Sequence, residues 1–283
     1  MRVACVQSNV VFADPTANAD IAIRHLEKLK AQDVDLVVFP EAYLTGYCVG
    51  TRGQAEKIAI EATADASREF NSMHPSLMRL HEASERLDIG CVVGFAGNNG
   101  MDLYNGVALF EPGRPARRFM KVHLPCLGFD RFAIPGSELD VFETKWGVLG
   151  ILICFDQRPP EAARTLALKG AELILLPTNW PIGAEVSAMH MSIARAAENK
   201  VFLATCNRVG IENGTTFIGQ SKIIDTKGRV LEAAGEGEEI LIADIDLSEA
   251  REKRIVNIPG EYEMEVFDCR RPELYTVITT PNR

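Results

Sequence analysis

The chain is expected to be an α/β protein whose strands form two mixed sheets with helices outside, and two observations predict this. The first is a strand–helix–strand unit at the start. Residues 3–6 (VACV) and 34–40 (VDLVVFP) are almost wholly apolar, and residues 18–32 between them put Ile21, Ala22, Leu26 and Leu29 on one helical face. Strands apolar along their whole length belong to sheets covered on both faces, the usual setting of parallel pairs. The second observation is an echo of that unit. Residues 148–153 (VLGILI), a helix ending at 169 and residues 172–177 (ELILLP) repeat the order, and 172–177 parallels 35–40 (DLVVFP). Two such half-sheets can pack face to face. With 283 residues, 47% of them hydrophobic, the chain can bury a sizeable core. No linker or composition break interrupts it, so one domain over 1–283 is expected.

The elements follow in order. Asn18 is placed to cap the first helix. Residues 45–53 read as a glycine-containing loop. Helices are expected over 56–72 and 75–87, the second opened by Pro75. Residues 90–95 and 104–111 read as strands joined by the Asn98-Asn99-Gly100 turn. Gly94, Gly97 and Gly100 superficially suggest a nucleotide loop, but a strand follows them instead of a helix. A short strand is expected at 117–122, a helix at 187–200 and a strand at 201–206. Antiparallel strands are expected at 217–225, 230–232 and 239–245, with turns at Lys227-Gly228 and Gly235-Glu236-Gly237. Residues 257–283 have little periodicity and read as a tail packed over a partner subunit.

Bulk properties narrow the function class. The net charge of −9 argues against nucleic acid or an anionic membrane as the main partner. No stretch approaches the roughly 20 apolar residues of a membrane helix, and the start does not read as a signal peptide. A cytoplasmic location is the expectation. Seven cysteines, at 5, 48, 91, 126, 154, 206 and 269, are scattered singly, without a Cys-x-x-Cys pair, and the five histidines show no ligand spacing. This argues against a disulfide framework or a zinc site. Asn213-Gly214-Thr215 reads as a turn.

The chemistry gathers where strands end, because ligands of parallel sheets bind at the carboxyl ends of strands. Glu41 follows the second strand, Asn179 follows the 172–177 strand, and Lys121 lies near the end of 117–122. Cys154 ends its apolar run, and Pro159-Pro160-Glu161 then opens a helix. A thiol facing a helix start is expected to have a lowered pKa. Carboxylate, amine and thiol together are the parts of a nucleophilic site. Cys5, Cys91 and Cys206 lie in or at the edge of apolar strands and read as core residues. A Cys–His hydrolase using His123 or His190 is an alternative, with no feature that supplies an orienting third group.

Phe39-Pro40-Glu41, Lys121-Val122-His123-Leu124 and the run from Ile153-Cys154-Phe155-Asp156 to Pro160-Glu161, in this order, resemble the nitrilase superfamily of carbon–nitrogen hydrolases. Pro177-Thr178-Asn179-Trp180, Arg195-Ala196-Ala197-Glu198-Asn199 and Asn207-Arg208-Val209-Gly210 extend the resemblance, which spans about residues 1–245. It implies a four-layer α-β-β-α sandwich, a homodimer or larger assembly, and no metal or organic cofactor. It also implies catalytic Glu41, Lys121 and Cys154, with the Phe155 backbone N–H in the oxyanion site. The family's second glutamate after the lysine loop is matched by Asp130, one methylene shorter; an ion pair with Arg131 is the alternative for that residue.

True nitrilases carry Cys-Trp-Glu, whereas Cys154-Phe155-Asp156 resembles the amidase and carbamoylase branches. Arg158 then stands where a guanidinium could pair with a substrate carboxylate, or with Asp156 or Glu161. Tyr47, Trp180, Phe129 and Met189 are candidates for the pocket lining. The expected reaction is hydrolysis of small aliphatic or ω-amides to acid and ammonia through a Cys154 thioester. An N-carbamoyl amine or amino-acid hydrolase is the runner-up, a nitrilase comes third, and a non-catalytic binding subunit is the alternative from another class.

Overall fold

The computed structural model describes residues 1–280, so the last three residues of the expected tail lie outside it. Two sheets dominate. The larger has eight strands, and at its centre Arg2–Gln7 runs parallel to Leu36–Val38, which runs parallel to Gly90–Asn98. The smaller has six, with Val148–Ile151, Leu173–Thr178 and Phe202–Asn207 in parallel and antiparallel strands at both edges.

The two-residue period of the strands builds the layers. Val3, Cys5, Leu36 and Val38 of the larger sheet face Leu149, Ile151, Leu173 and Leu175 of the smaller one in a single core between the sheets. The alternate residues, Ala4, Val6, Val37 and Phe39, face outward onto Ala22, Leu26, Leu77 and Leu80 of the helices Pro15–Lys30 and Pro75–Leu87. On the far side Ile174, Leu176 and Leu203 meet Ala162, Leu166 and Ala196 of Pro160–Leu168 and Ser192–Asn199. The result is the four-layer α-β-β-α sandwich. Each strand is apolar throughout because both its faces are covered.

Two expectations are corrected. The helix expected over 56–72 is a short helix, Arg52–Ile58, followed by the strands Ile60–Ala64 and Phe70–Met73. Ile60 and Ala62 alternate inward, and Ile60–Ala64 joins the sheet beside Gly90–Asn98. The first helix is capped by Asp14, whose side chain accepts from the Ala17 N–H, and not by Asn18. Asn18 is buried and its amide donates to the carbonyls of Val11 and Leu44. The helix after Cys154 opens at Pro160 as expected, and a separate 3-10 turn over Cys154–Gln157 precedes it. No helix among the described residues is long and apolar enough to cross a membrane.

Candidate active site

Four buried polar side chains meet at the carboxyl ends of the larger sheet's strands. Lys121, just past Arg117–Met120, donates from Nζ to Glu41 Oε1 at 2.6 Å and to Asp130 Oδ2 at 2.6 Å. All three are buried to within 3%. The fourth is Asn105, within Leu103–Phe110, whose Nδ2 donates to Glu41 Oε1 and to Asp130 Oδ1, both at 2.7 Å. The Tyr47 hydroxyl lies 2.9 Å from Asp130 Oδ2 and 3.0 Å from the Leu127 carbonyl. Asp130 therefore faces inward toward the lysine and makes no ion pair with Arg131.

The charge balance sorts the protons. One ammonium can neutralise one of the two carboxylates. Burial pushes Glu41 above the ordinary carboxylate range; Lys121 opposes this, Asp130 adds to it, and the bonds from Lys121 and Asn105 hold it back. Burial works to lower the Lys121 ammonium, but Asp130 and Glu41 overcome it and hold Lys121 well above its usual value. Glu41 is thus a buried carboxyl whose ionised form is disfavoured by its surroundings.

Cys154 sits on the 3-10 turn with φ +47°, a left-handed conformation that costs a non-glycine residue of order 1–2 kcal/mol. Burial and the Glu41 charge push its thiol far above the ordinary range, against the opposing pull of Lys121 and of the Asn179 backbone N–H at its sulfur. The lowered thiol pKa expected from a helix start is thus overturned, because burial and the neighbouring carboxylates outweigh the opposing groups. A thiol of this kind needs a base at the moment of reaction. The Phe155 N–H, on the residue that follows Cys154, donates to no acceptor among the described residues.

Asp156 holds the two halves of the site together. It is fully buried. Its Oδ1 accepts from the N–H groups of Val122 (3.2 Å) and His123 (2.7 Å) and lies 2.9 Å from His123 Nδ1, while Oδ2 accepts from the Ile153 N–H at 3.0 Å. The residues next to Lys121 are thereby tied to the residue before Cys154. His123 does have an orienting group in Asp156, contrary to expectation, but it makes no hydrogen bond to Cys154.

A cavity of about 300 Å³ opens over Cys154, bordered by Tyr47, Phe155, Arg158, Asn179 and Trp180. Asn179 is 1% exposed, and both its side-chain oxygen and nitrogen lack partners among the described residues. Trp180 is held through its N–H by Asn207 Oδ1 at 2.8 Å. The Arg158 side chain is exposed and forms no ion pair with Asp156 or Glu161 among the described residues, which removes the structural alternative for it. Phe129 is fully buried and Met189 is exposed away from the cavity, so neither lines it. Sequence reasoning missed Asn105 and the role of Asp156. A polar residue inside the otherwise apolar run 103–110 was the signal for Asn105; the partners that join Asp156 to the lysine loop, at Val122 and His123, are more than thirty residues away and leave no signal.

Residues 2–255 match the family model for carbon–nitrogen hydrolases. The chain is 34% identical to a nitrilase of Pyrococcus abyssi over 97% of its own length and 99% of that protein's. It is 31% identical to the 2-oxoglutaramate amidase of Bacillus subtilis over 96% and 98%. Among solved structures it resembles a variant of the amidase from Nesterenkonia sp. AN1 that shows covalent addition of the acetamide moiety of fluoroacetamide at the active-site cysteine, with TM-score 0.77, 25% identity and coverage of 98% and 97%. The family match along nine-tenths of the chain, over a fold with these same layers, makes this protein a member of the carbon–nitrogen hydrolase family, within the nitrilase superfamily.

Proposed function

We propose that the protein hydrolyses small amides to acid and ammonia through a thioester on Cys154. The observation that carries this reading is the buried Glu41–Lys121–Asp130 cluster beside a thiol held in a left-handed turn under a small cavity. Glu41 takes the thiol proton as the sulfur attacks the amide carbon. The oxyanion that forms is stabilised by the Lys121 ammonium and the Phe155 N–H, which act most strongly on charge present only in the tetrahedral state. Glu41 returns the proton to the nitrogen as the C–N bond breaks, and ammonia leaves. Water, losing a proton to Glu41, then attacks the thioester; the C–S bond breaks and the sulfur regains the proton.

The free Arg158 guanidinium at the cavity rim and the unpartnered Asn179 amide suit a substrate with a carboxylate at one end and an amide at the other. Tyr47 and Trp180 form apolar wall between them. The similarity to a 2-oxoglutaramate amidase supports an ω-amide of this kind. Ammonia release across a panel of ω-amides, neutral aliphatic amides, N-carbamoyl amino acids and nitriles tests the proposal. Fastest turnover of ω-amides is expected; preference for a nitrile or an N-carbamoyl compound would overturn it.

The chain is read as one domain whose end packs on a second copy. Val256, Ile258, Tyr262, Leu274, Val277 and Ile278 are each more than 40% exposed along the hairpin Arg254–Ile258/Tyr262–Glu265 and the turns after it. So much exposed apolar surface marks a contact face.

A further inference from the structure

We infer that Asn105 is a positioning residue that engages one oxygen of Glu41, Oε1, and so leaves Oε2 as the atom that exchanges the proton. The inference rests on Glu41 being the general base. Oε1 is fully engaged, with the Asn105 amide at 2.7 Å and the Lys121 ammonium at 2.6 Å. Oε2 is buried and has no partner among the described residues. A buried carboxylate oxygen without a donor is costly, and such atoms persist where they are used. The thiol proton therefore goes to Oε2, and it leaves from Oε2 to the departing nitrogen.

Asn105 is built for this task. It lies inside a sheet strand, paired with Ala96, so its backbone is rigid. Its own carbonyl accepts the Lys121 N–H at 2.9 Å. One residue thus places the lysine main chain and, through its forked amide, both acids. The amide orientation follows from the chemistry: the opposite flip would aim the side-chain oxygen at two carboxylates. Neutrality matters as well. A second cation here would hold Glu41 ionised and weaken it as a base, whereas an amide donates to both acids without adding charge. The other ionisable groups that act on Glu41 are Lys121, Asp130, Cys154 and Tyr47.

The test is the pH dependence of kcat/KM for ammonia release in Asn105→Leu, which keeps the approximate shape and loses the donors without adding charge, and in Asn105→Ser, with folding followed by thermal melting. The Asn105 bond favours ionised Glu41. Its loss raises the Glu41 pKa, so the ascending limb moves to higher pH by about one unit, the size expected for a hydrogen bond to a charged group. kcat should fall while KM changes little, because Asn105 does not touch the cavity. Folded variants with an unmoved limb, or with a loss confined to KM, overturn the inference. Glu41→Gln separates the two levels: if it is inactive while the Asn105 limb stays in place, only the positioning role fails, and if it retains turnover the base assignment fails as well.

Discussion

Replacing Asp156 by Asn changes one atom and should both soften the fold and slow the reaction. The carboxylate takes three backbone N–H groups and the His123 ring. An amide has one acceptor oxygen. If that oxygen stays with Val122 and His123, the new NH2 faces the Ile153 N–H, two donors in a fully buried place. If it turns to Ile153, three bonds are lost. The first arrangement is cheaper: it strands one buried donor and converts the remaining charge-assisted bonds to neutral ones, for about 2–4 kcal/mol in all. At this chain length that lowers the melting temperature by about 5–10 °C. The same loss loosens Lys121 against Cys154, and kcat should fall by roughly tenfold or more, as for small misplacements of catalytic groups. Differential scanning calorimetry and ammonia release at saturating amide measure the two effects. An Asp156→Asn protein with wild-type melting temperature and wild-type kcat would refute the clamp.

Other perturbations address neighbouring parts of the site. A Cβ at Gly94 would lie 2.4 Å from the Ala42 nitrogen and 2.6 Å from the Pro40 carbonyl oxygen, both backbone. Gly94→Ala must therefore push the segment that carries Glu41, and kcat should drop by on the order of 100-fold; unchanged kcat would mean the strand end tolerates displacement. Arg158→Gln should lower kcat/KM for carboxylate-bearing amides by roughly tenfold while sparing neutral ones, the screened worth of an exposed charged contact. Equal loss on both substrates would remove Arg158 from recognition. Val277→Asp with Ile278→Asp should shift sedimentation from dimer or larger to monomer, and an unchanged sedimentation coefficient would place the contact elsewhere.

The layering was legible because the central strands are apolar on both faces: 34–40 and 172–177 can only be interior, and the helices between them carry one apolar stripe. The hairpin at 60–73 was not legible, since Ile60 and Ala62 alternate over too few residues to outweigh a charged, alanine-containing stretch. Glu41 and Cys154 could be placed from sequence because each stands where an apolar run stops, whereas Lys121, beside Arg117 and Arg118, was joined to them by the ordered motifs of the resemblance. The state of the thiol could not be. It depends on burial of the sulfur and on the charges beside it, which only the fold brings together. Asn105 is an isolated polar letter in a strand, and only the fold reveals that it faces two carboxylates.

The central claim is that Cys154 carries the acyl group. Acid quenching during turnover of an ω-amide, followed by digestion and peptide mass spectrometry, reads this directly. The account predicts the acyl mass on the peptide containing Cys154 alone, and neither adduct nor ammonia from Cys154→Ala. An adduct on any of the other six cysteines, or undiminished turnover by Cys154→Ala, would contradict it.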